Sequence, residues 1–474
     1  VTGIATAYLD SVPIVAITGN VATKLIGRDS FQEVNIVGIT MPITKHNYIV
    51  QSVNELQRVI REAFYIAGEG RPGPVLIDIP KDIQQAVVEY DPDAVFEFGR
   101  RATPPEYDLK KAVEMLKNAE RPFIYAGGGA VISGAGEELS AFAEAIDAPV
   151  ATSLMGMTVI SSEHPSALGM IGMHGRYAAS KALSECDLLI AAGVRFSDRA
   201  TGKKDKFAKN CKILQLDVDR AEINKNIRAD EFIIGGIKPV LAALLAELPK
   251  IENKKWRGRI AELKACPENA LADSGNALTP KFIIQSARQI LGRGGLTAVA
   301  TDVGQHQMWT AQYYGFERPR TFVTSGGLGA MGFGMGAAIG ASIGSGKKPS
   351  ILFTSDGSFH MNMNELATAV SNDLPVTVIV LDNNALGMVR QWQTMFYGKR
   401  YSETTLCRKT DYVALAEAFG ARGFRAKTRA ELTAAMSLAA EEASPCLIHC
   451  VVDCDEKVFP MIPPNGTVED IIIR

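Results

Sequence analysis

The sequence predicts an α/β protein made of doubly wound parallel sheets in three domains, the first incomplete. Short apolar runs alternate with helical patterns along the whole chain: PIVAITGN, a helix around Glu55 to Ala67, PVLIDIP, FIYAGGG, DLLIAAGVR, KILQLDVD and VTVIVLDNN. Strands separated by helices in this rhythm form parallel sheets, because each parallel return needs a crossover. Two charged, proline-containing stretches interrupt the rhythm, Asp91 to Tyr107 with Pro104-Pro105 and Ile251 to Pro280, and read as linkers. The chain has 474 residues, and at roughly 100–200 residues per domain that is about three domains. The expected boundaries are a remnant of a first domain over 1–95, a middle domain over 105–250 and a C-terminal domain over 278–474.

The first segment, VTGIATAYLDSV, reads as a helix and PIVAITGN as a buried strand with no strand before it. Residue 1 is Val rather than Met, so a missing N-terminus is expected. Glu55-Leu56 opens a helix leading to GPVLIDIP, and Glu431-Leu432 opens one leading to PCLIHCVVD, an echo consistent with a duplicated fold. GGGA at 127–130 follows the strand FIY as a tight glycine turn of the kind that admits a pyrophosphate, but it lacks full GxGxxG spacing, and a plain turn reads equally well.

Composition bounds the function. Fifty Lys and Arg against 52 Asp and Glu leave a net charge of −2, with no basic surplus for a nucleic-acid backbone. Small-molecule chemistry is the default. Seven scattered cysteines form no disulfide framework and suit a reducing cytoplasm. Cys446, Cys450 and Cys454 lie four apart in an apolar, β-branched segment and read as core rather than as a thiol metal site. Thr321 to Gly346 carries nine glycines among its uncharged residues, which suits a close-packed loop and helix better than a membrane span.

The strongest chemistry lies in SILFTSDGSFHMNMNELATAVSNDLPVTVIVLDNNALGMV, from Ser350 to Val389. One buried strand delivers Asp356 at its end, and the next delivers Asn383. A carboxylate and an amide oxygen at the carboxyl edge of neighbouring strands suit Mg²⁺, which takes oxygen ligands and keeps places for phosphate. The small Gly357-Ser358 turn lets backbone N–H groups approach those phosphates. Either piece alone is equally a solvated turn; together they point to a site.

This stretch resembles the thiamine diphosphate motif, GDG followed by NN, with Ser355 and Asp382 departing from the usual residues. The words TDVGQHQMW (301–309), TSGGLGAMGFGMGAAIGA (324–341), ELATAV (365–370), LGMVRQWQ (386–393), FQE (31–33), RPGPVLIDIPKD (71–82), GMHG (172–175), RFSDR (195–199) and PMIPP (460–464) resemble the large catalytic subunit of acetolactate synthase over essentially the whole chain. The resemblance implies Mg²⁺ on Asp356, Asn383 and the Ala385 carbonyl. It places thiamine diphosphate against Gly304, Gln305, His306, Gly329, Met331, Gly357, Ser358, Gly387 and Met388.

GMHG and RFSDR are similar to the family's FAD-binding segments. They imply flavin contacts at Arg71, Gly127, Gly128, Met173, His174, Gly193, Arg195, Asp217 and Asp219, with Ser197 replacing an Asp of the usual word. Phe31, Gln32 and Lys81 match positions that line the substrate channel from the first domain of a neighbouring subunit, Met388, Val389 and Trp392 the acceptor wall, and Arg199 a partner for the acceptor carboxylate. The implied reaction decarboxylates pyruvate and transfers a two-carbon unit to pyruvate or 2-ketobutyrate. A homodimer or tetramer, a small regulatory subunit and a cytoplasmic location are expected, with neither nucleic acid nor membrane. The family's activating glutamate lies upstream of residue 1, so these residues alone are expected to be nearly inactive. The alternatives are glyoxylate carboligase or pyruvate oxidase, a catalytically silent cofactor-binding module, and a nicotinamide dehydrogenase.

Overall fold

The computed structural model describes residues 1–99, 107–267, 278–292 and 297–473. The Pro104-Pro105 part of the first predicted linker and residues 268–277 of the second lie outside the described residues. The chain divides into two compact units. The first runs from Val1 to that linker and takes in Ser325–Ala330, where the Gly327 N–H donates to Asp10 at 2.6 Å; the second holds the rest.

In the first unit, strands β1 (Val15–Asn20), β2 (His46–Ile49) and β3 (Val75–Pro80) form a parallel sheet in the order β1-β3-β2. Helix Val53–Gly68 connects β2 to β3. It starts where Ser52 and Glu55 form a capping box, which satisfies N–H groups the first turn leaves unpaired. Val59, Ala63 and Ala67 then fall on one face against Val75 and Ile77. β3 is buried throughout, but β1 is only half-buried and exposes Ile17. Among the described residues β1 lies at one side of this sheet.

The second unit contains two six-stranded parallel sheets. β4 (Pro122–Ala126), β5 (Val150–Thr152), β6 (Ala167–Met170), β7 (Leu188–Ala192), β8 (Lys212–Asp217) and β9 (Glu231–Ile234) lie in the order β6-β5-β4-β7-β8-β9. Side chains alternate between two cores, as a period of two requires: Ile124 and Ala126 face one, Phe123 and Tyr125 the other. Helix Lys254–Ala265 corrects the linker reading of 251–280. Its buried Trp256, Ile260 and Leu263 pack on the second of these cores, and the Trp256 indole donates to Pro122 O at 2.9 Å.

β10 (Ala298–Thr301), β11 (Phe322–Val323), β12 (Ser350–Ser355), β13 (Val376–Asp382), β14 (Arg422–Ala426) and β15 (Cys446–Val451) lie in the order β11-β10-β12-β13-β15-β14. Cys446 and Cys450 are core residues as read, but Cys454 is exposed, because β15 ends before it.

The echo between the chain's two ends extends to register. Val75 is opposite Val15 and His46, and Cys446 is opposite Thr377 and Arg422, so β1-β3-β2 superposes in pairing on β13-β15-β14. Helix Arg429–Glu441 repeats the capping box with Thr428 and Glu431. Among the described residues, no helix is long and apolar enough to cross a membrane.

Candidate active site

In the third sheet the chain turns to opposite sides after β10 and β12, which creates a crevice at their carboxyl ends, where open α/β sheets take ligands. Ser355 pairs with Leu381 across β12 and β13, so Asp356 follows opposite Asp382 and Asn383 lies one residue beyond; Asp356 and Asn383 are both buried. The expected Gly-Ser turn is a single helical turn, Asp356–Phe359. The Ser358 hydroxyl donates to Val303 O at 2.9 Å and ties it to the loop after β10.

That loop begins with Asp302, a residue missed by sequence reasoning. Its carboxylate accepts from the N–H groups of Val303 at 2.8 Å, Gly332 at 2.8 Å and Gly334 at 3.4 Å, anchoring the start of helix Phe333–Gly344. Burial nonetheless holds its pKa above the ordinary range. Gly304 then opens helix Gln305–Tyr313, whose N-terminus favours an anion. The His306 ring is fully buried and bonded to the Asp302 backbone, while its Nε2 has no partner among the described residues. Desolvation pushes its pKa down to about 3, so the imidazole is neutral.

Asp356 is pushed up to about 7, first by burial and then by the facing Asp382, and its Oδ1 has no partner among the described residues. Burial also raises Asp382, but the hydrogen bond from His449 and its other partners outweigh this and hold it low. A buried carboxyl facing a half-buried one, one oxygen unsatisfied, and an adjacent amide oxygen form a donor set that a divalent cation would relieve. These residues fit Mg²⁺. Arg408 and His360 brace the Asp356 carbonyl at 2.6 and 2.9 Å. Ala385 is buried, and its N–H donates to Asn383 Oδ1 at 3.2 Å. Met331 Cε comes within 3.9 Å of where a Cβ on Gly357 would lie. Gln305 is nearly fully buried, and its amide bonds Gln391, Glu456 O and Asn383.

Residues 302–450 match the C-terminal TPP binding domain of thiamine pyrophosphate enzymes, and residues 109–244 match their central domain. Across the whole chain, identity is 44% to a probable acetolactate synthase large subunit from Methanocaldococcus jannaschii, of which 82% is covered. It is 41% to the acetolactate synthase isozyme 2 large subunit of Escherichia coli K12, with 85% covered, and 42% to the chloroplastic acetolactate synthase 1 of Nicotiana tabacum, with 73% covered. The chain belongs to the acetolactate synthase large-subunit family.

Apart from Arg71, the residues expected to contact a flavin lie on the second sheet and the loops that follow its strands. β4 and β7 flank the point where the strand order reverses, and Gly127 and Gly193 follow them. A Cβ on Gly127 would lie 2.2 Å from Gly193 O, and Gly193 has φ +62°, so both positions require glycine. Gly128 begins the helix that follows. Asp217 ends β8 and accepts from the Asp219 N–H at 2.9 Å, Asp219 caps the next turn, and the Arg195 carbonyl accepts from Asn226. His174 is buried and bonded to the Pro460 carbonyl, with its Nδ1 unpartnered among the described residues, and burial lowers its pKa to about 4. An orphaned ring nitrogen and a crevice that a Cβ would fill fit a pyrophosphate-bearing cofactor at this edge.

Acetolactate synthases provide the frame for the remaining residues. Arg199 Nη1 reaches Met173 Sδ at 3.8 Å, and its guanidinium lies 5.9 Å from the Trp392 ring centroid. Met388, Val389 and Trp392 share helix Gly387–Phe396. Arg199 and Met173 also line a cavity of about 390 Å³ with Lys206, Pro464 and Asn465. Phe31, Gln32, Lys81, Arg71 and Gly329 belong to the first unit. There Phe31 is 88% exposed, Gln32 has φ +62°, Lys81 begins the helix after β3, Arg71 Nε donates to Ser11, and the Gly329 N–H donates to Ser325.

Proposed function

We propose that Asp356, Asn383 and the Ala385 carbonyl hold Mg²⁺, and that the chain condenses pyruvate with a second pyruvate or with 2-ketobutyrate. The observation that carries this is the delivery of Asp356 and Asn383 at the ends of neighbouring strands beside the β10/β12 crevice, with Asp356 Oδ1 left unsatisfied. The N–H groups at the starts of helices Gln305–Tyr313 and Asp356–Phe359 receive the diphosphate, with Gly304, Gln305, His306, Gly357 and Ser358 around it. Met331, Gly329, Gly387 and Met388 shape the rest of that cradle. Thiamine diphosphate, when bound, supplies the electron sink that lets a 2-keto acid lose CO₂.

The protein's own part is orientation and desolvation. Arg199 pairs with the acceptor carboxylate, Trp392 and Val389 select the acceptor by shape, and Lys81, Gln32 and Phe31 line its approach. FAD is held by Arg71, Gly127, Gly128, Met173, His174, Gly193, Arg195, Asp217 and Asp219. The three sheets correspond to pyrimidine-side, flavin and diphosphate domains, in a homodimer or tetramer that takes a small regulatory subunit. The seven free thiols accord with a cytoplasmic setting.

A product assay on the full-length protein with pyruvate, 2-ketobutyrate, thiamine diphosphate, Mg²⁺ and FAD tests this. Acetohydroxy acid is the expected product. Release of CO₂ without it, or reduction of the flavin, would move the protein to a decarboxylase or oxidase, and no turnover would leave a binding module.

A further inference from the structure

Helix Gly387–Phe396 buries one polar residue, Gln391, which is 2% exposed and has no role in the scheme above. Its amide pairs with both main-chain groups of Val458: the Val458 N–H donates to Oε1 at 2.9 Å, and Nε2 donates to Val458 O at 3.2 Å. Oε1 also accepts from Gln305 Nε2 at 2.9 Å, and that nitrogen donates to Glu456 O at 2.8 Å. Gln305 Oε1 in turn accepts from Asn383 Nδ2 at 3.3 Å. A Cβ on Gly387 would lie 2.0 Å from Gln305 Oε1 and 2.6 Å from Asn383 Nδ2, so the chain of amides passes through space only glycine leaves.

An amide has a donor end and an acceptor end, so each junction dictates the next. The Val458 N–H and carbonyl orient Gln391, Gln391 orients Gln305, and Gln305 draws Asn383 Nδ2 toward itself. Asn383 Oδ1 therefore faces the other way, toward the Ala385 N–H and the cation position. An asparagine turned over would offer that position an NH₂ group, which is no ligand. We propose that Gln391 is a positioning residue that, through Gln305, sets which end of the Asn383 amide faces the cation. This deepens the Mg²⁺ reading and rests on it.

The test is calorimetric Mg²⁺ titration of the full-length protein with thiamine diphosphate, for wild type, Gln391→Met, Asn383→Asp and the double variant. Gln391→Met should weaken Mg²⁺ binding about tenfold, the usual scale for losing a residue that orients a ligand. In the Asn383→Asp background, where the carboxylate has no wrong end, the same substitution should cost less than about twofold. Unchanged affinity in Gln391→Met, or equal losses in both backgrounds, would overturn the proposal, the second because it marks a packing effect. If Gln391→Met does not fold, Gln391→Glu serves at about pH 6, where a buried carboxyl stays protonated and keeps one donor and one acceptor. It should bind Mg²⁺ like wild type, and a tenfold loss there would also overturn the proposal. A wild type that takes up no Mg²⁺ would instead remove the cation site itself.

Discussion

His449 Nε2 lies 2.8 Å from Asp382 Oδ2, across the ends of two neighbouring parallel strands. Arg425 donates to the other ring nitrogen at 3.4 Å, so Nε2 carries the proton and donates it to Asp382. Substituting His449→Phe keeps the ring against Tyr412 but removes the His449 donor from a half-buried carboxylate that retains the Asn384 N–H. A loss of about 1–3 kcal/mol is expected in denaturant unfolding. Asp382→Asn in the same chain should recover part of it. Strictly additive losses would mean that the pair is not coupled.

Asp356 illustrates stability set against function. Its folded pKa is raised to about 7 from 3.8, so above pH 3.8 the unfolded chain releases this proton more readily, and the group costs stability that grows until about pH 7. Asp382 moves the other way through the same contact, so the cost belongs to the pair and lasts until a cation binds. Asp356→Asn should therefore melt higher than wild type at pH 8 in EDTA, while losing Mg²⁺ affinity and at least about a hundredfold in activity. A variant that melts lower in EDTA and still binds Mg²⁺ would contradict both halves.

His306 and His174 set the acid limit of the fold. Their folded pKa values of about 3 and about 4 lie below the ordinary 6.5. Between 6.5 and those values the unfolded chain binds more protons, so stability is full above pH 6.5 and falls as the pH drops. At pH 5 each histidine should cost about 2 kcal/mol. Because the Asp356 cost shrinks over the same range, the readout is the difference between wild type and His306→Gln in melting curves from pH 8 to 5, and the variant should lose less stability on acidification. An unchanged slope in that variant would place the acid sensitivity elsewhere.

Much of this arrangement was legible because apolar strands end where chemistry begins. Asp356 and Asn383 each follow a run of apolar residues, and strand order puts those runs side by side. What was hidden depends on partners distant in sequence. Gln391 looks like any polar residue on an amphipathic helix until Val458, 67 positions away, pairs with it. Asp302 sits in a matched word but reveals its role only when Gly332, 30 residues on, returns to it. Helix Lys254–Ala265 was masked by its charge, although Trp256, Ile260 and Leu263 keep helical spacing.

The crevice between β4 and β7 gives a further prediction. A methyl group on Gly127 would lie 2.2 Å from Gly193 O, and this neighbour is backbone in a left-handed glycine, not a side chain that can swing aside. The two strand ends would have to separate, and overpacking of this kind costs about 1–3 kcal/mol. Because both glycines sit at the reversal in strand order, the separation would also distort the proposed flavin edge. Gly127→Ala should purify with little flavin absorbance and a lower melting temperature, yet titrate with Mg²⁺ and thiamine diphosphate as wild type does, since Asp356 and Asn383 stand on a different sheet. Full flavin content in Gly127→Ala would move the FAD site away from this crevice, whereas loss of Mg²⁺ binding would show that the two sheets are coupled.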